Sequence, residues 1–131
     1  MPGYAGTGQA RLLRDNTQVF LFQKETNLVG KASIAYQLER INRSYYPLGA
    51  SFQIYFTDVN GIPADPGAFE VDIQSSDIDD DGQYSTESSF SGTLNAKFAG
   101  RVPLPNLYAK YVRTFVKTLS NAVYVTVLAT H

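Results

Sequence analysis

The sequence predicts an all-β protein, an antiparallel β-sandwich or jelly roll that carries an extended N-terminal arm. Three observations support this fold class. Several short runs alternate apolar and polar residues, which is the period of a half-buried strand. Ten Gly and six Pro lie mostly between those runs, where turns are expected, and Tyr and Phe, which suit strands, make up 13% of the chain. At 131 residues the chain is long enough for one hydrophobic core.

Each predicted strand is a short run in which apolar side chains recur at every second position. The clearest run covers residues 51–58, and the turn-forming pair Asn60-Gly61 follows it directly. Residues 85–92 are polar and rich in Ser and Thr, so the pattern leaves them unassigned. The remaining predicted strands cover residues 18–23, 33–40, 69–74, 93–98, 110–119 and 123–129.

The C-terminal third of the chain predicts a hairpin. Only residues 120–122 separate the last two strands, which is a typical length for a hairpin loop. Residues 101–106 contain two prolines and are predicted to be a connection rather than a strand. A helix over residues 107–119 is the alternative, but four β-branched residues in that stretch favour a strand.

The predicted domain organisation is an extended N-terminal arm at residues 1–17, followed by a single β-sandwich domain at residues 18–131. The first eight residues hold three Gly and one Pro and have too little apolar surface to fold alone. An arm of this kind gains burial when it orders on a neighbouring subunit. A disordered tail and a remnant of expression remain the alternatives.

The composition argues against several classes of protein. Cysteine is absent and the single histidine is the last residue, His131, so we expect no disulfide, no thiolate zinc site and no Ser-His-Asp catalysis. The net charge of −1 provides no basic footprint for nucleic acid. No apolar run approaches the ~18 residues of a membrane span, and no signal peptide is visible. We therefore expect a non-enzymatic protein without a cofactor.

One acidic stretch resembles the opening of a calcium-binding loop. Asp77, Asp79 and Asp81 alternate and are followed by Gly82, as in the D-x-D-x-D-G pattern. The EF-hand pattern also needs a Glu at position twelve, which here is Ser88. A solvated acidic turn is therefore the favoured interpretation, and the three aspartates are only weak metal-ligand candidates.

Candidate partner-binding residues come from the arm and from the loop at residues 42–49. Tyrosine is enriched at protein interfaces because its ring is flat and apolar and its hydroxyl is polar. Basic and leucine side chains near the end of the arm could contact a second subunit. The candidates are Tyr4, Arg11, Leu12, Leu13, Arg14, Tyr45 and Tyr46.

The order of segments resembles a family of virion proteins. Residues 65–74 read DPGAFEVDIQ, the acidic turn with Tyr84 follows, and residues 108–113 read YAKYVR before a valine-rich terminal strand. This order is similar to small β-sandwich virion proteins of tailed bacteriophages, in particular capsid decoration (cement) or minor head proteins. The resemblance carries no catalytic residue.

The resemblance implies a structural subunit that binds the major capsid protein on the exterior of the capsid and stabilises the shell. It also implies synthesis in the cytoplasm of the bacterial host and self-association as a trimer or dimer. No nucleic-acid or membrane partner is expected.

Two alternative functions remain open. Residues 110–113 also look like the penultimate strand of galactose-binding jelly rolls, which implies a carbohydrate-binding module, although the chain has no Trp for an aromatic platform. A tail or baseplate component of the virion is the other alternative.

Overall fold

The computed structural model describes residues 11–13, 18–38, 49–92, 94, 97–105, 107 and 109–130. Within these ranges every element of secondary structure is a β-strand except a 3₁₀ turn at Asp81–Gln83. No helix in these ranges is long and apolar enough to cross a membrane. The all-β prediction is therefore confirmed.

The strands of the described residues form two sheets. The first sheet contains β1 (Arg11–Leu13), β3 (Lys31–Ala32), β4 (Tyr36–Leu38), β6 (Phe69–Ser76), β7 (Ser85–Gly92) and β9 (Tyr111–Leu119). The second sheet contains β2 (Gln18–Glu25), β5 (Ala50–Thr57), β8 (Ala99–Leu104) and β10 (Tyr124–Thr130). The first sheet runs in the order β1-β4-β9-β6-β7, with β3 also beside β9, and the second runs β2-β10-β5-β8.

Four antiparallel strand pairs are nested inside one another along the chain. β2 pairs with β10, β4 with β9, β5 with β8, and β6 with β7. The outermost and third pairs lie in the second sheet, and the other two lie in the first. The chain thus resembles one long hairpin, bent back between β6 and β7, whose successive pairs alternate between the two sheets.

The core lies between the inner faces of the two sheets. In β5 the inward residues Phe52, Ile54 and Phe56 are fully buried, and the residues between them are half-buried. The rings of Phe56 in the second sheet and Phe69 in the first are 5.0 Å apart, centroid to centroid. The period-two alternation read from the sequence therefore places one apolar face of each sheet in a common core.

Most of the predicted strands are confirmed, with shifted ends. Those at residues 18–23, 51–58 and 69–74 correspond to β2, β5 and β6. The strand favoured at residues 110–119 is β9, so the alternative helix over residues 107–119 is wrong. Of the predicted strand 33–40, Tyr36–Leu38 forms β4 and residues 33–35 are irregular, while residues 39–40 lie outside the described residues. The unassigned residues 85–92 form β7. Their polar character reflects exposure at the end of the first sheet.

The predicted C-terminal hairpin is wrong. β9 lies in the first sheet between β4 and β6, whereas β10 lies in the second sheet between β2 and β5. The short link at residues 120–123 crosses from one sheet to the other. Each of these strands pairs on both sides with strands from earlier in the chain, which satisfies its backbone groups without pairing β9 to β10.

The predicted connection at residues 101–106 is also wrong, because β8, Ala99–Leu104, covers its first four residues. Of the strand predicted at residues 93–98, the described residues Leu94, Lys97 and Phe98 are not in a strand, and the others lie outside the described residues. β8 contains Pro103 and is the last strand of its sheet, paired with β5 alone. A proline, which lacks an N–H, is compatible with such an edge strand because one side of the strand needs no donor.

The described part of the predicted arm is a strand. Arg11–Leu13 forms β1 and pairs in parallel with β4, with Arg11 opposite Tyr36 and Leu13 opposite Leu38. This part therefore lies at the edge of the first sheet. The remainder of residues 1–17, including Tyr4 and Arg14, lies outside the described residues.

Gly100 provides a test of how closely the two sheets approach. A Cβ at Gly100 in β8 would collide with the ring of Phe90, which reaches across from β7. We expect Gly100→Ala to lower the free energy of unfolding by about 1–3 kcal/mol, the usual cost of overpacking. Urea unfolding measures this cost, and Gly82→Ala, where a Cβ meets open space, is the matched control. Equal stability of the two variants would contradict the close packing of Phe90 on Gly100.

Candidate binding surfaces

Antiparallel pairing gathers the loops at two opposite ends of the sandwich. Loops 26–30, 58–68 and 120–123 share one end, because β2, β5 and β9 finish there and β3, β6 and β10 begin there. We call this the apolar end because it carries Val29, Val59 and Ile62. The acidic loop, residues 77–84, joins β6 to β7 at the opposite end.

Exposed large apolar side chains are concentrated at the apolar end. Val29 is 54% exposed, and Val59 and Ile62 are each 59% exposed. Among the described residues, the other large apolar side chain exposed to this degree is Ile78 in the acidic loop. Single exposed apolar residues are common on any protein, but three of these four lie at one end, which makes that end a candidate contact surface.

The turn that carries Val59 and Ile62 is held by one aspartate. Asp58 Oδ1 accepts hydrogen bonds from the backbone N–H groups of Asn60 at 2.8 Å and Ile62 at 3.0 Å. The Asp58 N–H in turn donates to the Ile62 carbonyl at 2.8 Å. Gly61 adopts a φ of +83°, which glycine accepts without steric cost. The predicted Asn60-Gly61 turn is confirmed, and its backbone is ordered before any partner binds.

The rest of loop 58–68 is fastened to the link between β9 and β10. Ser120 and Asn121 donate backbone hydrogen bonds to the carbonyls of Ala68 and Pro66, at 2.9 and 3.1 Å. Ala68 N–H donates to Ser120 Oγ at 2.8 Å. Gly67, at a φ of +71°, has no room for a Cβ beside Ser120. The apolar end is therefore a supported surface rather than a set of independent loops.

At the opposite end, the acidic loop is anchored to the outer face of the first sheet by Arg113. This β9 side chain is nearly buried, and its Nε donates to Gln74 Oε1 at 2.9 Å. Its Nη1 forms an ion pair and hydrogen bond with Asp81. The guanidinium lies 4.0 Å from the centroid of the Tyr84 ring, in cation–π contact.

A shallow groove of about 550 Å³ lies beside this anchor. It is lined by residues 31–35 together with Asp79, Asp81 and Arg113. Lys31 and Arg113 supply positive charge and the aspartates negative charge, so the groove offers both hydrogen-bond donors and acceptors. Within the described residues the hydrogen bonds of Arg113 involve Nε and Nη1, which leaves Nη2 available to a ligand.

The three aspartates that were weak metal candidates do not converge on a common point. Asp77 Oδ1 accepts a hydrogen bond from a backbone N–H just before β9, at 3.0 Å. Asp79 Oδ1 accepts one from the Tyr84 hydroxyl at 2.8 Å, and Asp81 pairs with Arg113. No cluster of three His, Cys, Asp or Glu residues in the described part of the chain could hold a metal ion. Asp77 and Asp81 thus fasten the acidic loop to β9 and the residue before it, whereas Asp79 binds Tyr84 within the loop.

The predicted contact residues and the observed surfaces only partly coincide. Arg11, Leu12 and Leu13 lie together in β1, whereas Tyr4, Arg14, Tyr45 and Tyr46 fall outside the described residues. The sequence analysis missed Val59 and Ile62 as surface residues. A signal was present, because both flank the predicted Asn60-Gly61 turn, where apolar side chains are poorly buried.

The Tyr84 hydroxyl makes the stability of the folded protein depend on pH in the alkaline range. Burial is the main cause that raises the pKa of Tyr84 well above its ordinary value, and the hydrogen bond to Asp79 adds to it. The folded state thus keeps its proton at a pH where the unfolded chain loses it. This contribution to stability is complete below the ordinary tyrosine pKa of ~10 and is lost as the pH rises above it.

We therefore expect the free energy of unfolding of Tyr84→Phe to fall less with rising pH than that of the wild type. Urea unfolding at pH values of about 8 and about 11, on either side of the ordinary tyrosine pKa, measures the effect. At the lower pH the hydroxyl is protonated in both the folded and the unfolded chain. The difference in the free energy of unfolding between variant and wild type there measures the loss of the hydrogen bond to Asp79 alone. If the free energy of unfolding falls by the same amount between the two pH values in Tyr84→Phe and in the wild type, the role of the Tyr84 hydroxyl is contradicted.

Comparison of the chain with protein-family models, with curated proteins and with solved structures found no match. The function must therefore be argued from the surfaces described above. Two of them are candidate binding surfaces: the apolar end, which is hydrophobic, and the groove beside Arg113, which is polar and of mixed charge.

Proposed function

We propose that the chain is a non-enzymatic structural protein of a bacteriophage virion, a capsid decoration subunit that binds the major capsid protein on the capsid exterior. In this proposal the fold is a jelly roll with an N-terminal arm, and the apolar end is a contact surface. The observation that carries the proposal is the rigid presentation of Val59 and Ile62 to solvent by Asp58.

The strand pairing supports the jelly-roll part of the proposal. Eight of the strands form four nested antiparallel pairs divided between two sheets, which is the arrangement expected of a jelly roll. Viral capsid and lectin domains both use this fold. Because one fold hosts many functions, the choice between these classes depends on the surfaces and not on the topology.

The apolar end suits a protein partner better than a small ligand. Val59 and Ile62 project from a turn whose backbone hydrogen bonds are already made, so little conformational entropy is lost when a partner covers them. Burial of apolar area contributes about 25 cal/mol per Å². Two side chains supply only part of an interface, so the proposal assigns the remainder to the arm that precedes β1.

Sedimentation with capsids tests the apolar end. The probe is a capsid assembled from the major capsid protein of the same virus and made without this chain. We expect the wild type to sediment with the capsid and the double variant Val59→Ser, Ile62→Ser to bind at least about tenfold more weakly, since ~1.4 kcal/mol of lost burial suffices. The matched control is Ile78→Ser, which removes an equally exposed side chain at the opposite end.

The outcomes of this experiment distinguish the apolar end from the opposite end of the sandwich, and capsid decoration from a role in the tail or baseplate. Equal loss in Ile78→Ser and in the double variant would contradict a specific role of the apolar end. Failure of the wild type to sediment with capsids would contradict decoration. Binding to isolated tails in the same experiment would favour a tail or baseplate component. A shortened chain that begins at residue 11 keeps β1 and tests the arm separately.

Carbohydrate binding is the second candidate function, and the groove beside Arg113 favours it. Vicinal hydroxyl groups of a sugar both donate and accept hydrogen bonds. The free Nη2 of Arg113 and the exposed carboxylate of Asp79 supply both kinds of partner in one groove. Lys31 adds a further donor at the same groove.

Saturation-transfer difference NMR with a panel of neutral mono- and disaccharides tests this second candidate. A carbohydrate module is expected to give signals that weaken in Lys31→Ala and Asp79→Asn, which alter the groove but leave Arg113 in place. Lys117→Ala, on an exposed part of β9 outside the groove, is the control. The absence of saturation transfer from every sugar in the panel would remove this candidate.

A further inference from the structure

We infer that the chain forms a two-fold symmetric dimer in which β7 pairs in antiparallel orientation with β7 of a second copy, joining the two first sheets into one. β7 is the last strand of the first sheet, and within the described residues its outer edge pairs with no other strand. This inference concerns the free protein in solution, and it does not rest on the capsid proposal.

The four sheet edges differ in how they are protected against pairing. Natural proteins protect edge strands with charged side chains, prolines or bulges, because unpaired N–H and C=O groups attract other strands. β8 carries Arg101 and Pro103, and β1 carries Arg11. β2 carries Lys24, at a φ of +51°, and its pairing with β10 is irregular. β7 contains neither a basic residue nor a proline, and its one charged residue, Glu87, coincides with its one register shift.

The exposed edge of β7 is long and is held in place from behind. A register shift places Glu87 in a bulge, but Ser88–Ser91 continues as a regular four-residue stretch opposite β6, and Gly92 follows at a φ of +120°. The ring of Phe90 lies 5.1 Å from that of Phe69, centroid to centroid, and Ser89 Oγ donates to buried Asp72 at 2.7 Å. A strand anchored in this way loses little entropy when its outer edge pairs.

The sequence of β7 is compatible with its own copy. A two-fold axis through an antiparallel pair places one residue opposite itself and every other residue opposite a different one. With Ser88 or Ser89 on the axis, Glu87 faces Ser89 or Ser91, respectively, and never the Glu87 of the second copy. The one charged residue of β7 therefore causes no direct repulsion, and hydroxyl side chains face each other, which stabilises cross-strand pairs.

A second copy is therefore the occupant that the edge best fits. Apart from Glu87 and Phe90, whose ring packs on Phe69, the residues of β7 are Ser, Thr and Gly, which give no charge or pocket by which a different protein would be selected. Phe90 also packs on Gly100 in β8, so the second sheets of the two copies are brought side by side when the first sheets join.

Light scattering and sedimentation velocity at several protein concentrations measure the association. We expect a dimer, twice the 14.4 kDa mass of one chain, that dissociates on dilution. Ser91→Lys and Thr86→Lys each place a charge on exposed positions of β7 and are expected to weaken the dimer at least tenfold. Thr118→Lys makes the same change at an exposed position of β9, inside the sheet, and is expected to leave the dimer unchanged.

Disulfide cross-linking identifies the strand at the interface, because the natural chain has no cysteine. Ser88→Cys and Ser89→Cys are each oxidised in air and analysed without reductant, and the variant that lies on the axis is expected to give a covalent dimer. Thr118→Cys is the control and is expected to stay monomeric on the gel. Far-ultraviolet circular dichroism confirms that each variant is folded.

Two results would overturn the inference. One is a strict monomer at every concentration. The other is a dimer that resists both lysine substitutions and forms no disulfide through β7, because such a dimer must use another surface.

Discussion

The nested pairing of strands is the constraint on which the rest of the structure depends. The last strand, β10, lies between β2 and β5, and β9 lies between β4 and β6, so the central strand pairs of both sheets join distant parts of the chain. Both sheets therefore close only when the C-terminal strands are in place. The same arrangement brings loops 26–30, 58–68 and 120–123 to one end, although they are far apart in sequence, and it leaves β7 at an edge.

Arg113 shows how the outer face of the first sheet tolerates a nearly buried charge. A guanidinium that loses water is costly unless charge and hydrogen bonds replace it. Gln74 and Asp81 supply those partners, and the Tyr84 ring covers the planar face of the guanidinium. Because Asp81 and Tyr84 both belong to the acidic loop, the interactions that satisfy Arg113 also hold that loop against the sheet and shape the groove beside it.

The three surfaces use different physical means of recognition. The apolar end presents hydrophobic side chains from a preformed turn, and the groove presents both hydrogen-bond donors and acceptors. The edge of β7 presents backbone groups that pair with no other strand of the described residues. The apolar end and the acidic loop lie at opposite ends of the sandwich, and β7 runs along its side. Self-association through β7 and contact with a partner through the apolar end are therefore sterically compatible.

The sequence by itself determined the all-β class, the strands that became β2, β5 and β6, and the turn at Asn60-Gly61, because side-chain alternation and turn chemistry are local properties. The tertiary structure alone decided that β9 and β10 belong to different sheets, since a short link serves a hairpin and a crossing between sheets equally well. It also decided that Pro103 lies in a strand, because only the position at an edge makes a missing donor harmless. The partners of Arg113 and the exposure of Val59 likewise depend on which distant segments come together, and no local pattern encodes that.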